Sequence, residues 1–512
     1  MKPGLLTLLI FFPLLLSFPI LFISEKKANF IRYYSLTISI ITFVLSLFLL
    51  FKFDRGVADY QFVEKIQWIS QINSSYYLGI DGISLLLILL TTFLFPLSLL
   101  ISFEPIKIRV KTYYFLMLIL EGALIGVFSS LDLILFYVFW EFILIPMYFI
   151  IGIWGGEERI YATVKFFIYT MVGSILLLVG IIWLGFVTTP YLGYYTMELP
   201  RLTDVAWLLP TKKQIILFVL FTLGFLIKVP LFPFHTWLPD AHVQAPTAGS
   251  VILAALLLKM GTYGLIRFSI PLFTLAFLEF TPYIAVLSVI GIIYGALLSI
   301  VQKDMKKLVA YSSVSHLGFI VLGLFAYNVE AVQGSIIQMI NHGLSTGALF
   351  MIVGMLYERR HTKEISEYGG IMKVMPVFAV VFMIVALSSI GLPGLNGFVG
   401  EFLILVGSFY SSNLGTPVYA IISALAVILA AVYLLWLYQR VMTGPITKEQ
   451  NKNLKDLNKF EYFSIIPILI FIVWIGVYPK TFLSISEKSV QKVLVNYEKA
   501  KERLEMEKQQ KP

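Results

Sequence analysis

Six ionisable side chains lie inside long apolar stretches of the sequence, and the chemistry open to them there is the reversible binding of a proton. They are Glu141, Lys228, Lys259, His316, His342 and Glu401. An ionisable group at the centre of a bilayer costs about 2.5–3.5 kcal/mol on insertion scales. Apolar surroundings favour the uncharged forms of both glutamate and lysine, so such groups can exchange protons near neutral pH. A set that combines acids, bases and imidazoles is therefore predicted to form a proton relay.

Static roles are the alternative for these side chains. A membrane histidine commonly hydrogen-bonds two helices together, and a Glu–Lys pair can be a fixed bridge. With Glu121 included, however, seven groups are spread over seven apolar segments, and one bridge holds only one pair of helices. We therefore favour transport over a purely structural role, and we assign no role to Glu121.

Metal binding is a weaker interpretation of the polar residues. His235 and His242 flank Asp240 in the segment FHTWLPDAHVQAPT, a spacing that matches zinc ligands poorly, so no metal site is predicted. Both histidines are candidates for the side of proton uptake. Sodium would need several fixed oxygen ligands, and the lysines in the path would repel it, which favours the proton.

The composition identifies the elements that must position these groups. Of the 512 residues, 59% are hydrophobic and 13% are charged, whereas soluble proteins carry about 25% charged residues. Apolar runs of about twenty residues recur along the chain, and uninterrupted runs of this length cross a bilayer as helices rather than as barrel strands. The absence of cysteine excludes disulfides and Cys-ligated zinc or iron–sulfur clusters. The net charge of +9 fits cationic loops that set membrane topology, not a nucleic-acid partner.

Fourteen membrane spans are predicted, the first of them a retained helix rather than a signal peptide. Their ranges are 4–23, 30–51, 83–103, 112–130, 132–153, 162–187, 214–236, 247–272, 281–301, 306–326, 331–357, 374–411, 417–442 and 460–483. The twelfth is too long for one crossing and contains Pro393, which predicts a broken or strongly tilted helix.

The loops predict the orientation of the chain. Lysine and arginine are concentrated in the loops after odd-numbered spans, which places those loops in the cytoplasm and both termini in the periplasm. The Lys- and Glu-rich tail from Ile485 onward is interpreted as a solvated helix rather than a docking element.

A weak internal repeat divides the chain. Spans four to eight and nine to thirteen each contain five helices, and the fourth helix of each set is interrupted by proline, at Pro230 and Pro233 and again at Pro393. Because five is odd, the second set must enter the membrane inverted, an arrangement typical of ion-coupled transporters. The predicted units are residues 1–110 with three spans, 111–273 as the first repeat, 279–444 as the inverted repeat, and 445–512 with the last span and tail.

Several segments resemble one family in the order in which they occur there. LFYVFWEFILIPMYFIIGIWGG around Glu141 and LIKVPLFPFHTWLPDAHVQAPTAGSVILAALLLKMGTYGLIRF around Lys228 and Lys259 carry the strongest likeness. YLGIDGISLLLILLTTFLFPL, VAYSSVSHLGF, NHGLSTGALF and GLPGLNGFVGEFLIL add to it, so that the resemblance extends over residues 76 to 445. The chain resembles the M-type, antiporter-like subunits of proton-pumping NADH:quinone oxidoreductase, or respiratory complex I.

This resemblance implies an all-α fold of about fourteen transmembrane helices with two inverted five-helix repeats. It implies a proton-translocating subunit of the membrane arm in the inner membrane of a bacterium, beside L-type and N-type subunits and lipid. The chain itself would hold no cofactor, whereas NADH, quinone, FMN and iron–sulfur clusters belong to other parts of the complex.

The resemblance also implies roles for individual residues. Glu141 would pair with Lys228 in the first half-channel, and Lys259 would be the central lysine. His316 and His342 would lie on the hydrophilic axis, and Glu401 would open the second half-channel. A proton would enter from the cytoplasm near spans seven and eight, move on when the Glu141–Lys228 interaction shifts, and leave to the periplasm beyond Glu401.

Related proteins remain as alternatives. L-type subunits carry extra helices and a long lateral helix, for which the residues after 445 leave too little chain, and both L- and N-type subunits tend to have lysine in place of Glu401. Subunits of multi-subunit sodium/proton antiporters and of membrane-bound hydrogenases share the core. A structural scaffold subunit is the alternative of another class.

Overall fold

The computed structural model describes residues 4–509, which form a bundle of closely packed helices. The helices of its first half are α1 (Leu5–Ser17), α2 (Ala28–Lys52), α3 (Gly82–Ile101), α4 (Val110–Ser129), α5 (Leu133–Phe142), α6 (Leu144–Trp154), α7 (Arg159–Leu192), α8 (Leu199–Ala206), α9 (Thr211–Lys228), α10 (Trp237–Gln244), α11 (Thr247–Ile252), α12 (Leu258–Gly264) and α13 (Ile270–Leu272). Those of its second half are α14 (Thr274–Ile300), α15 (Met305–Ala326), α16 (Val329–Arg360), α17 (Pro376–Ile390), α18 (Asn396–Phe409), α19 (Val418–Met442), α20 (Lys459–Val477) and α21 (Lys480–Gln509).

The helices confirm a polytopic membrane protein. Within residues 4–509, 12 helices are long and apolar enough to cross a bilayer, and their bounds follow the predicted spans closely. The span Thr247–Leu272 is enclosed by other helices along its whole length, whereas α2, α7 and α19 each leave an apolar face outside the bundle. The interior helices are therefore the ones that can hold polar groups away from lipid.

Two helices are interrupted where proline was expected to interrupt them. The first break separates α9 from α10, and the carbonyl oxygens of Ile227 and Leu226 accept from the indole Nε1 of Trp237 and the N–H of Leu231, at 3.0 Å each. The second break separates α17 from α18, where Gly391 and Gly394 adopt φ angles of +83° and +93° that favour glycine. The prediction of a broken twelfth helix is confirmed.

The enclosed span Thr247–Leu272 is not a regular α-helix. Two π-helical turns, Leu253–Leu257 and Leu265–Ser269, lie on either side of α12. Each π turn holds one residue more than an α turn and is frequent at functional sites. Lys259 lies between them, which makes this span the least regular of the long helices near the polar residues.

One element outside the membrane spans was not predicted from the sequence. Strands β1 (Gln61–Ile69) and β2 (Ser74–Ile80) form an antiparallel hairpin in the segment after α2 of this otherwise helical fold. Glu64 on β1 accepts hydrogen bonds from the N–H groups of Leu6 and Thr7, which are free at the start of α1. The hairpin therefore caps the first helix.

The first part of the tail, up to Val493, docks on the bundle, whereas the sequence predicted a solvated helix. The hydroxyl of Ser489 on α21 accepts from the N–H of Gly82, and the carbonyl of Val493 accepts from Tyr327. Lys492 forms an ion pair of 2.6 Å with Asp59 in the segment before the hairpin. The Lys- and Glu-rich composition concealed that one side of this helix is bonded to the bundle.

Two backbone bridges occur at corresponding places in the predicted repeats 111–273 and 279–444. Asp132, before α5, pairs with Glu198, and Asp304, before α15, pairs with Glu364. Each aspartate also caps the helix that follows it. In each predicted repeat, the bridge joins the residue before the second span to the segment after the third span.

Candidate functional site

The first pair of predicted site residues, Glu141 and Lys228, is close without forming an ion pair. Lys228 ends α9 with 1% of its surface exposed, and its Nζ has no hydrogen-bond partner among the described residues. The ammonium instead lies 5.3 Å from the ring centre of Trp140 and 5.6 Å from that of Phe166. Trp140 precedes Glu141 on α5, and the Glu141 carboxylate attracts Lys228 electrostatically. Cation–π contacts stabilise a charge less than a carboxylate contact does. The protonated form of Lys228 would therefore be stabilised further if the Glu141 carboxylate came closer.

Glu141 itself lies at the edge of the bundle. Its side chain is partly exposed, while its Oε1 is buried and makes no hydrogen bond within residues 4–509. Its neighbour Trp140 is fixed by a hydrogen bond of 2.9 Å from its indole to Ser174. The Glu141 carboxylate accepts a hydrogen bond from Tyr137 on the same helix and does not pair with Lys228.

Lys259 lies at the centre of the molecule, fully buried on α12. Its Nζ donates to the carbonyl of Ala254 in the preceding π turn at 2.7 Å and lies 2.5 Å from Nδ1 of His342 on α16. A lysine and an imidazole that share one hydrogen bond can pass a proton between them without moving apart. The predicted central lysine therefore has an acceptor in place.

The helices of the two lysines touch, although the lysines themselves do not. A Cβ at Gly261 would lie 2.7 Å from the carbonyl oxygen of Phe225 and 2.8 Å from the N of Val229, the residue after Lys228. Only glycine allows this approach. Lys228 and Lys259 are thereby held on adjoining helices, with no hydrogen bond between them in the described chain.

The remaining predicted residues continue the line from Lys259. The rings of His342 and His316 meet edge to face with centres 5.7 Å apart. Nδ1 of His316 lies 2.9 Å from Oε1 of Glu401, and both side chains are buried. Lys259, His342, His316 and Glu401 therefore form one polar line that crosses from α12 through α16 and α15 to α18.

Neutral polar side chains surround the Glu401 end of this line, and the sequence analysis missed them. Gln338 donates to Glu401 at 3.2 Å, and Asn341 bonds to Gln338 and to the carbonyl of Asn396. Together with the predicted residues they line a small cavity, whose walls are His316, Gln338, Asn341, His342, Ser345, Thr346, Ser388, Ser389, Gly397 and Glu401. The run NHGLSTG, polar in the middle of an apolar span, was the signal that could have indicated them.

A further titratable group that interacts with Lys259, His242, lies on α10. His242 is fully buried, stacks on Phe350 with ring centres 4.4 Å apart, and has no hydrogen-bond partner for either ring nitrogen in the described part of the chain. It interacts electrostatically with Lys259 and with Lys306. Lys306, which the sequence analysis did not single out, is 5% exposed and donates to the carbonyl of Ala245 at 2.5 Å.

Lys306 borders a cavity. Lys306 lines it together with Gln244, Glu358 and Lys363, and Glu358 also lines a larger surface cavity beside it. Burial lowers the pKa of Lys363 below its ordinary value. The cavity therefore connects solvent with titratable groups next to His242.

His235 lies apart from the central line. Its ring packs against Tyr294 and Phe232 with ring centres 5.2 and 5.7 Å away. Burial lowers the pKa of His235, and the nearby cation of Lys165, which pairs with Asp240 at 2.6 Å, lowers it further. This cluster adjoins the first helix break.

Glu121 is separate from all of these groups. It is fully buried on α4 and accepts a hydrogen bond of 2.9 Å from Ser39 on α2, while its second oxygen has no partner among residues 4–509. A carboxyl in such surroundings is favoured in its protonated form. It can therefore bond α2 to α4 without a charge.

The residues that converge are acids, bases and imidazoles, the side chains that can take up and release protons. They are connected by hydrogen bonds or ring contacts. In the described residues no three His, Cys, Asp or Glu side chains converge as metal ligands.

Comparisons with known proteins point to one family. Residues 130–430 match the family model described as the transmembrane domain of NADH:quinone oxidoreductase and Mrp antiporters. NADH-quinone oxidoreductase subunit M of Rickettsia felis is 44% identical over 95% of this chain and 98% of its own length. NADH-ubiquinone oxidoreductase chain 4 of Marchantia polymorpha is 45% identical over 95% of this chain and 96% of its own.

A solved structure of respiratory complex I contains a chain with a similar fold. A chain of respiratory complex I from Thermus thermophilus, determined with bound NADH, superposes with a TM-score of 0.85 at 29% identity. The match covers 96% of this chain and 99% of that one. The likeness thus extends over nearly the whole length of both chains.

Proposed function

We propose a proton route through this chain from the premise that it belongs to the family of M subunits of NADH:quinone oxidoreductase. The chain is a proton-translocating subunit of the membrane arm of that enzyme and works beside its other membrane-arm subunits. Oxidation of NADH and reduction of quinone take place in other subunits. L-type and N-type antiporter-like subunits are its expected neighbours.

In the proposed route a proton passes from Lys228 to Lys259, then to His342 and His316, and leaves beyond Glu401. The single observation that carries this proposal is the line of buried groups from Lys259 to Glu401, joined by contacts of 2.5 and 2.9 Å and one ring contact. A structural bridge would need only one of these contacts. The step between the two lysines, which lie on touching helices, requires a bridging water or a movement of the Lys228 side chain.

The Glu141–Lys228 pair is the proposed switch of the route. The absence of an ion pair among the described residues, together with the partly exposed position of Glu141, supports two states of the carboxylate. When Glu141 approaches, Lys228 holds its proton, and when Glu141 withdraws, Lys228 releases it toward Lys259. Each proton moved against 100 mV costs about 2.3 kcal/mol, which quinone reduction elsewhere supplies.

Proton uptake is proposed on the face of the first helix break. The segment between α9 and α11 carries His235 and His242, which the sequence analysis suggested for this role. His242 interacts electrostatically with Lys306 and Lys259, and Lys306 lines a cavity together with Glu358 and Lys363. We assign this face to the cytoplasm and the face of the hairpin to the periplasm, with both termini there, in the inner membrane of a bacterium.

The proposed architecture has fourteen crossings, of which the seventh and twelfth are the interrupted helices. Residues 111–273 and 279–444 are two inverted five-helix repeats, between the three spans of 1–110 and the last span and tail of 445–512. The matched bridges Asp132–Glu198 and Asp304–Glu364 support this relation, since each joins the same elements of its own repeat.

The test of the route is Lys259→Ala in the assembled complex, reconstituted in liposomes. We expect proton transfer during NADH-driven quinone reduction to fall about 100-fold, the contribution of a positioned proton-transfer group. Glu121→Gln is the matched control, because it changes a buried carboxyl away from the line and should pump normally. Full pumping by Lys259→Ala would show that the central step is wrong.

Two alternatives predict other outcomes. A scaffold subunit predicts that Lys259→Ala reduces the amount of assembled complex while the protons pumped per electron stay unchanged. Membership of a sodium/proton antiporter or a membrane-bound hydrogenase predicts different neighbouring subunits, which purification of the native assembly identifies.

A further inference from the structure

A buried ion pair lies on the same span as Lys259, about two helical turns further on, and the proposed route does not use it. Arg267 donates from Nη2 to Oδ1 of Asp81 at 2.5 Å, and each side chain is 5% exposed. Eight residues at 1.5 Å rise place Arg267 about 12 Å from Lys259 along the helix. Asp81 caps the start of α3, directly after the hairpin. The pair therefore lies between the central lysine and the hairpin face.

Hydroxyl groups lie between the two levels, while Nζ of Lys259 itself bonds to Ala254 and His342. Tyr263, one turn beyond Lys259, lies 3.1 Å from the hydroxyl of Ser84, which accepts from Arg267 at 3.3 Å. Arg267 also donates to the hydroxyl of Tyr60 at 3.2 Å. Tyr60 is only partly buried and borders the exposed Asp59. A line of hydroxyls thus runs from within a turn of Lys259 toward the hairpin surface, with Arg267 as the link in its middle.

The guanidinium is the one member of this line that cannot carry a proton onward. It has donors and no acceptor, and it stays protonated in proteins. The rings of Tyr60 and Tyr263 lie over it, with centres 5.4 and 5.3 Å from Cζ. A fixed cation in a narrow polar passage also repels an arriving proton.

Asp81 holds this cation in place without becoming a carrier itself. Its Oδ1 accepts from Arg267 and from the N–H groups of Ile83 and Ser84. Burial alone would raise the pKa of Asp81, but Arg267 and the two N–H groups lower it below its ordinary value. The carboxylate therefore stays ionised near neutral pH.

We propose that Arg267, locked by Asp81, insulates Lys259 from the hairpin face, so that its proton leaves only sideways through His342 toward Glu401. This inference rests on the proposed route in one respect, the identity of Lys259 as the donor. It adds a positioning role for Arg267 that the route does not contain. In this role Arg267 prevents proton leakage from Lys259 toward the hairpin face.

The test measures passive proton permeability of liposomes that contain the whole complex, after a pH jump and without NADH. Arg267→Gln should raise the leak at least about tenfold, because each 1.36 kcal/mol removed from a barrier raises a rate tenfold. Asp81→Asn is the matched control, since it removes the carboxylate charge while its side-chain oxygen can still accept from Arg267 and hold the cation in place, and it should stay tight. A leak in both variants, or a tight Arg267→Gln complex, overturns the proposal.

Two further variants keep the test decisive. Arg267→His, assembled at acidic pH, should be tight while its imidazole is protonated and leak when the pH is raised, and a leak that does not depend on pH contradicts the proposal. Lys259→Ala added to either leaky variant should close the leak. If the leak persists there, the proton does not come from Lys259, and the insulator proposal fails while the relay is still judged by NADH-driven pumping.

Discussion

Lys228 and Glu401 hold comparable places in the two halves of the molecule, since each lies beside the break in its helix, yet their surroundings differ. Lys228 contacts aromatic rings and has no hydrogen-bond partner among the described residues, whereas Glu401 is bonded to His316 and Gln338 within a polar cavity. A charge without partners changes its protonation state when one neighbour moves. A charge within a network is buffered by it. We therefore propose that the first half responds to its neighbours and that the second half conducts protons.

The largest expected effect tests the responsive half. Glu141→Ala removes the carboxylate that attracts Lys228, so coupled pumping should fall about 100-fold, as for loss of a proton-transfer group. Glu141→Asp keeps the charge and should retain pumping, which separates the charge from the shape of the side chain. The measurement is proton uptake into liposomes during NADH-driven quinone reduction. Undiminished pumping by Glu141→Ala would remove the switch from the mechanism.

A smaller effect is expected in the connected half. Glu401→Gln keeps a polar group between His316 and Gln338, and water in the cavity can complete the path, so pumping should fall about tenfold rather than 100-fold. Glu401→Leu also removes the hydrogen bonds and should approach the effect of Glu141→Ala. Equal losses for Glu401→Gln and Glu141→Ala would contradict the contrast between the halves.

A partial effect is expected from His242→Phe. Phenylalanine preserves the stacking on Phe350 and removes the imidazole that interacts with Lys306 and Lys259. Proton uptake near His235 and Lys228 remains, so the pumping rate should fall less than in Glu401→Gln. Lys306→Met should give the same loss, and the double variant should add nothing to it. Additive losses would show that the two residues act on separate paths.

The smallest effect concerns the helix caps of the two halves. Burial raises the pKa of Asp132 above its ordinary 3.8, so the folded chain keeps this proton at a pH at which the unfolded chain has lost it. By linkage, the stability of the fold falls as the pH rises from that ordinary value through the folded pKa. Asp132→Asn caps a helix comparably and abolishes this loss, so the fall in Tm of the complex between pH 4 and pH 7 should become smaller. Asp304→Asn, at the corresponding cap, controls for removal of a carboxylate at a helix start.

Much of the fold could be predicted because apolar runs indicate the lengths of the spans and proline positions indicate where helices break. The break at Pro393 is an example, since proline removes a backbone donor wherever it stands. The hairpin Gln61–Ile80 was missed because two short strands carry little signal beside long apolar runs. The docking of α21 depends on a few bonds, such as that from Gly82 to Ser489, which composition does not reveal.

The candidate site, like the fold, could be predicted only in part. Charged residues such as Lys259 were found because their presence in an apolar span is costly. Gln338, Asn341 and Lys306 were missed, the first two because they are neutral and the third because it follows a charged loop at the start of α15. That Glu141 lies at the edge of the bundle is a tertiary fact, since the sequence places it in the middle of a span.

The complete enclosure of the span Thr247–Leu272 has a consequence for biogenesis. It carries Lys259 and Arg267, and each cation at membrane depth opposes partitioning into lipid by about 2.5–3.5 kcal/mol. One of its principal packing partners, α16, is synthesised only after two further spans have left the ribosome. Until the second half of the chain has been inserted, this segment therefore lacks the helix that shields its two cations from lipid.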